Sequence, residues 1–198
     1  NCKNFGIRHL IYASTSSVYG NQSIYPIEEN FDTSKPIQLY AATKKSNELI
    51  AHCYTKLFKL KTTGLRFFTV YGPWGRPDMA LSKFTKNIIK NKQIEIFNHG
   101  KHVRDFTYID DIVEGIEKSL IIKKKENFRI FNLGNSKPIT VLNLVKIIEK
   151  ILNKKAKKKY LSLQKGDVYK THSSIKKAES EIKFSPKVNH LTGIQNYI

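Results

Sequence analysis

The run Ser14-Thr15-Ser16-Ser17-Val18-Tyr19-Gly20-Asn21, followed by Tyr40-Ala41-Ala42-Thr43-Lys44, decides how the rest of the chain is read. The first run closes an apolar stretch, Leu10-Ile11-Tyr12-Ala13, and is bounded by hydroxyls and a glycine. That pattern predicts a buried strand delivering hydroxyl groups to its carboxyl edge. The second run opens a helix, and Tyr40 and Lys44 stand at i and i+4, so a phenol and an ammonium share one face, one turn apart. A free phenol has a pKa of about 10, so a tyrosine that takes a proton near neutral pH needs its anion stabilised by about 4 kcal/mol. A fixed lysine cation supplies part of this. A hydroxyl aimed at the phenol and a positively charged cofactor would supply the remainder, with Thr15 the natural donor. The Tyr-Lys spacing alone is common on ordinary surface helices; the hydroxyl-rich strand end upstream makes it a candidate base.

Further along stand Arg66-Phe67-Phe68-Thr69-Val70-Tyr71-Gly72-Pro73 and Arg104-Asp105-Phe106-Thr107-Tyr108-Ile109-Asp110-Asp111. With these four motifs in this order, residues 5 to 190 resemble the extended short-chain dehydrogenases/reductases, and within them the NAD-dependent nucleoside-diphosphate-sugar epimerases. The resemblance implies an α/β fold: the C-terminal part of a Rossmann-type parallel sheet plus a smaller α/β substrate-binding domain. It implies a catalytic set of Thr15, Tyr40 and Lys44, and NAD as cofactor, contacted by Ser14, Tyr40, Lys44 and Phe68. A UDP-sugar substrate would be met by Ser16, Ser17, Thr69, Arg76, Arg104 and Asp167, with Arg104 on the diphosphate and Asp167 accepting from the ribose hydroxyls. The family often has arginine three residues before that aspartate; Gln164 stands there here, which weakens a second phosphate contact.

At 198 residues and 40% hydrophobic, the chain can bury one sizeable core. No glycine-rich dinucleotide turn, G-x-G-x-x-G, occurs in the sequence. The expectation is therefore a fragment lacking the amino-terminal part of the Rossmann domain, with much of the cofactor site absent and the isolated piece inactive. The formal charge is +19, from 35 basic and 16 acidic residues. Only Arg8, Arg66, Arg76, Arg104 and Arg129 are arginine; the excess is lysine, in runs such as Lys123-Lys124-Lys125. Nucleic-acid readers lean on arginine with interleaved aromatics, so this charge is read as a solvated face that attracts an anionic sugar nucleotide, and no nucleic-acid partner is expected. Cys2 and Cys53 fit no disulfide framework or zinc spacing, the histidines include no metal-binding pair, and no apolar run is long enough for a membrane helix. A cytoplasmic protein without a metal or a membrane partner is expected.

Residues 1–73 are read as the C-terminal part of the NAD-binding domain and 74–198 as mainly the nucleotide-sugar-binding domain, with 101–133 partly returning to the first. Pro26 and Pro36 mark a loop from Asn21 to Gln38 passing over the site. The helix opened by Tyr40 continues through Leu49, Ile50, Cys53, Tyr54 and Leu57, a stripe that the resemblance assigns to a homodimer of the full-length protein. Strands are expected at 65–70, 94–97, 128–133 and 160–163, and helices at 80–91, at 111–120 capped by Asp110, and from 141 to about 152 capped by Thr140.

A tyrosinate that takes a hydroxyl proton while hydride leaves the same carbon for a nicotinamide gives a transient ketone. Return of hydride to the other face yields the C4 epimer. Dehydratases of the family carry Asp-Glu at the positions of Ser16 and Ser17, and related decarboxylases carry a glutamate at the second; serine cannot run that elimination, so epimerase is favoured. Within the epimerases, Thr69 and Arg76-Pro77-Asp78-Met79-Ala80 resemble the UDP-glucuronate 4-epimerases, often encoded with capsule or lipopolysaccharide genes. Arg76 would hold the sugar carboxylate with Thr69 and Ser17, or else brace its own loop. The alternatives are a UDP-glucose or UDP-N-acetylglucosamine 4-epimerase, another such epimerase or dehydratase, or a non-catalytic Rossmann-like binding protein.

Overall fold

The computed structural model describes residues 1–122, 126–164 and 166–198; the lysine run 123–125 lies outside the described residues. Strand β1 (His9–Thr15) is followed by a tight 3-10 turn, Ser16–Tyr19, a long loop, and helix α1 (Leu39–Phe58). Then come β2 (Lys61–Phe67), β3 (Thr69–Tyr71), α2 (Ala80–Ile89), β4 (Gln93–Ile96), β5 (Val103–Arg104), β6 (Phe106–Tyr108) and α3 (Ile109–Leu120). The chain ends through β7 (Phe128–Leu133), β8 (Ile139–Thr140), α4 (Val141–Leu152), β9 (Lys157–Tyr160), α5 (Lys176–Ile182) and α6 (His190–Tyr197). The fold is α/β with a Rossmann-like parallel sheet in the order β1-β2-β7. Smaller parallel pairs, β3 with β6 and β4 with β9, and an antiparallel pair, β5 with β8, build the rest.

Burial departs from the sequence pattern at the first strand. Strand β1 is only half-buried over Leu10–Tyr12, with Ala13 exposed, because among the described residues it pairs with β2 alone and lies at the sheet edge. Strand β2 is the buried one, from Thr62 to Arg66. The expected single strand over 65–70 breaks at Phe68: Phe68 N donates to Leu133 O while Thr69 N turns to Asp105 O, so the chain passes from one sheet to another. In α1 the apolar stripe faces out, with Leu49, Ile50, Tyr54 and Leu57 all exposed, and the face packed on the sheet carries Ala41, Glu48, Ala51 and Thr55. Small residues let the helix approach closely, and its polar groups find partners: Thr55 Oγ1 lies 2.8 Å from Thr62 Oγ1.

That approach buries an ion pair. Arg66 Nε and Nη2 donate to the two Glu48 carboxylate oxygens at 2.8 Å each, Ser14 Oγ donates to Glu48 at 2.6 Å, and the Arg66 guanidinium lies 4.7 Å over the Tyr19 ring. Burial pushes the Glu48 carboxyl up, but the Arg66 bonds and charge, with Ser14 and Lys45, outweigh it and hold the pKa below the ordinary 4.5.

Two apolar cores flank this seam. Leu65, Phe131 and Leu133 pack against Ile112, Ala178, Ile182 and Phe184; Phe84, Ile88, Ile94, Ile96, Leu144, Val145 and Ile148 join α2, β4 and α4. Thr140 caps α4 through Asn143 N at 3.1 Å, as its sequence predicts. Helix α3 corrects the sequence reading: it starts at Ile109 after Tyr108, with no side-chain cap, and Asp110 sits in its first turn. Asp111 accepts instead from Lys187 N and Val188 N, pinning the C-terminal segment. Strand β9 ends at Tyr160, where 160–163 had been expected, because its lysines lie along an outer pair with β4. No helix among the described residues is long and apolar enough to cross a membrane, and no group of three or more described His, Cys, Asp or Glu side chains could hold a metal ion.

Replacing Arg66 by alanine strands the buried Glu48 carboxylate and is expected to cost about 3 to 5 kcal/mol in urea unfolding, whereas a matched apolar replacement of both residues should recover most of that loss. Because the folded Glu48 pKa is depressed, the contribution of the pair is full above pH 4.5 and is lost as pH falls through the folded value. Urea midpoints measured down through this acid range should show that loss in the wild type and not in the apolar double variant.

Candidate active site

The tight turn after β1 gathers the hydroxyls. Thr15 Oγ1 accepts from Ser17 N at 3.2 Å and donates to Ser17 Oγ at 3.2 Å, which fixes Ser16 and Ser17 at the carboxyl end of the strand. The Thr15 proton is therefore directed at Ser17 and not at Tyr40. Tyr40 lies in the first turn of α1 and is 53% exposed, and the Lys44 ammonium lies 6.0 Å from the ring centroid while donating to Ala13 O at 3.1 Å. Lysine and phenol thus share one open helix face beside the end of β1. Ser14, expected at the cofactor, is 2% exposed and spends its hydroxyl on Glu48; Phe68 is buried with Val18, Tyr19 and Ile27. For both, packing decides where the side chain points.

A second group forms where β3, α2, β5 and the segment after β9 meet. Thr69, Arg104 and Asp167 line one cavity of about 210 Å³, with Met79, Leu81, Phe97 and His102 among its walls. Arg104 Nη2 donates to Asp167 Oδ1 at 3.1 Å, and Nη1 to Tyr169 O at 3.2 Å. Burial lowers the Arg104 guanidinium's pKa, and Asp167 works against that shift. Arg76 is outside this lining. It is exposed on the loop after β3, its Nε 3.0 Å from Asp78 Oδ1, and that contact, with a smaller contribution from the nearby Tyr40 phenol, raises its pKa. Thr69 and Arg104 line this cavity, and Thr15, Tyr40 and Lys44 are not among its lining residues.

Three supporting groups escaped the sequence reading. Glu48 and Arg66 are one; Asp105 is another, wholly buried and accepting from Asn135 N, Ser136 N, Ser173 N and Ser173 Oγ. Asp105 follows Arg104 directly, so its bonds hold that arginine's strand against the C-terminal segment bearing Asp167. The third, His102, is 4% exposed and sits two residues before Arg104, on the segment entering β5.

Residues 1–134 match the model of the NAD dependent epimerase/dehydratase family. The chain belongs to this family. It is 48% identical over 204 residues to UDP-glucuronate 4-epimerase 5 of Arabidopsis thaliana, covering 96% of this chain and 47% of that protein. Among solved structures it is similar to UDP-glucuronic acid 4-epimerase from Bacillus cereus in complex with UDP-glucuronic acid and NAD, at 36% identity and a TM-score of 0.92 over 99% of this chain and 62% of the other. It is also similar to UDP-glucose 4-epimerase from Thermotoga maritima with UDP-glucose, at 28% identity and a TM-score of 0.93 over 99% and 64%. The chain thus spans about half to two thirds of the length of these relatives.

Asp105→Asn keeps size but sets an amide donor against the N–H and O–H donors now bonded to the carboxylate. Two or more lost bonds should cost about 2 to 4 kcal/mol, read as a fall in urea midpoint at unchanged m-value.

Proposed function

We propose that the protein epimerises a UDP-sugar at C4 with NAD as cofactor, converting UDP-glucuronate to UDP-galacturonate through a transient 4-keto sugar. The observation that carries the reading is the open Tyr40–Lys44 face standing beside a hydroxyl turn, with Arg76 exposed on the loop after β3. An exposed guanidinium fork on that loop suits a substrate that carries a carboxylate.

These residues fit the nicotinamide end of NAD: the Tyr40 phenol and Lys44 ammonium reach solvent on one helix face, and Lys44 is already anchored on the Ala13 carbonyl. Tyr40 and Lys44 would hold that end, while no G-x-G-x-x-G turn is present in the sequence for the pyrophosphate. When bound there, NAD supplies the acceptor and donor of hydride at C4. Tyr40 takes the C4 hydroxyl proton and returns it, and Lys44 stabilises the phenolate. Thr15 and Ser17, tied to each other, orient the sugar oxygens, and Ser16 and Ser17 stand where an elimination would need an acid and a base. Arg104 and Asp167 take the diphosphate and ribose in the cavity. The exposed Leu49, Ile50, Tyr54 and Leu57 face of α1 is proposed as part of a homodimer contact of the full-length protein.

For Tyr40→Phe in the complete protein, turnover should fall about two to three decades while UDP-sugar affinity stays nearly unchanged, since the proton acceptor goes and the cavity remains. Paired kcat and equilibrium titration measure both; near-normal turnover removes Tyr40 from its role. Arg76→Ala should cost about 2 to 4 kcal/mol in kcat/KM on UDP-glucuronate and little on UDP-glucose, because only the former leaves a carboxylate without its fork. The oxidised glucuronate is a β-keto acid, so pentose by-product should rise in that variant. Equal losses on both sugars without by-product would leave Arg76 as a brace for its own loop.

A further inference from the structure

The cavity holds a second chargeable nitrogen that the reading above does not use. His102, on the segment entering β5, is 4% exposed, and its Nε2 is buried without a hydrogen-bond partner. It lies 3.5 Å from Asp167 Oδ2, beyond a good hydrogen bond, while the other oxygen of the same carboxylate is held by Arg104 Nη2 at 3.1 Å. One carboxylate thus sits between two side chains that compete for it.

We propose that His102 is a positioning residue for the anionic ligand of this cavity: by taking Asp167 as a protonated imidazolium, it releases the Arg104 guanidinium to the diphosphate of a nucleotide sugar. The inference rests on the nucleotide-sugar reading of the cavity. With His102 neutral, Asp167 offsets the Arg104 charge and an incoming diphosphate must displace it. With His102 charged, Asp167 has its own partner and Arg104 is free for the phosphates, so ligand and proton bind cooperatively. Around the imidazole stand Arg104 on β5 and Asp167 and Tyr169 on the segment after β9; Glu95 on β4 lines the same cavity, engaged by Lys159 at 3.8 Å, and Tyr25, under Lys170 at 4.3 Å, acts on Arg104 from the loop after β1. Burial first, and then the Arg104 charge, lower the His102 pKa in the empty cavity, and Asp167 opposes them. The imidazole is therefore mostly neutral at neutral pH without ligand, and a bound dianion that occupies Arg104 draws the proton in. Affinity should rise as pH falls below neutrality.

The test is calorimetric titration of UDP-glucose, whose diphosphate has no group titrating near neutrality, into the chain between about pH 5.5 and 7.5 in two buffers of different ionisation enthalpy. Wild type should take up part of a proton on binding and bind about three- to tenfold more tightly at the acid end. His102→Gln should abolish the uptake and flatten the profile, and Asp167→Asn, which leaves the imidazole in place but without its anion, should do the same. A wild type that binds with no proton exchange, or an uptake that persists in His102→Gln, overturns the role of His102 and leaves the nucleotide-sugar reading standing. No UDP-glucose binding at any pH overturns that reading and this inference with it.

Discussion

The Glu48–Arg66 ion pair is the contact on which the sheet and its active edge depend. Strand register places Ser14, Arg66 and Asn132 side by side across β1, β2 and β7, and each is tied into the same polar seam. Ser14 and Arg66 converge on Glu48, Arg66 Nη1 donates to Glu29 O, and Asn132 accepts from Tyr19 and donates to Ile27 O. A lone charge here would cost several kcal/mol, so the pair persists only because both carboxylate oxygens and most of the guanidinium are satisfied. Its net worth is small, and its geometric consequence is large. It sets how close α1 lies to the sheet and hence where Tyr40 and Lys44 stand relative to Thr15.

Asp105 plays the corresponding part at the cavity. Four donors from two separate segments converge on a carboxylate with no exposure, so the strand carrying Arg104 and the chain leading to Asp167 are fixed to each other through it. Both nodes join segments far apart in sequence, and each lies immediately behind a group assigned to substrate. Buried carboxylates fix the walls of the candidate site where apolar packing alone would leave orientation loose.

The outer face of α1 shows the same division of labour in reverse. Leu49, Ile50, Tyr54 and Leu57 stay in solvent, while an acid and a threonine go inside. Burial of four such residues is worth several kcal/mol at about 25 cal/mol per Å², so this face is the strongest unspent apolar surface on the helix.

By itself the sequence determined the α/β class, the strand at 128–133, the Thr140 cap, and the shared helix face of Tyr40 and Lys44, because period, cap chemistry and an i, i+4 spacing are local properties that survive without tertiary contacts. It also determined the family, through motifs whose order is readable along the chain. What tertiary structure decided was everything set by distant partners. Apolar spacing marked the outer stripe of α1 but not what its inner face packs against, since a buried Glu48 is stable only with an Arg66 that no periodicity reveals. The strand over 65–70 split because Asp105, not its own residues, captured Thr69 N. Asp110, expected as the α3 cap, went into the first turn, and Asp111 became a clamp on the backbone of 187 and 188. Ser14 read as a ligand-facing hydroxyl until the helix brought a carboxylate to it: where a side chain points depends on the one acceptor within reach, and folding alone chooses that acceptor.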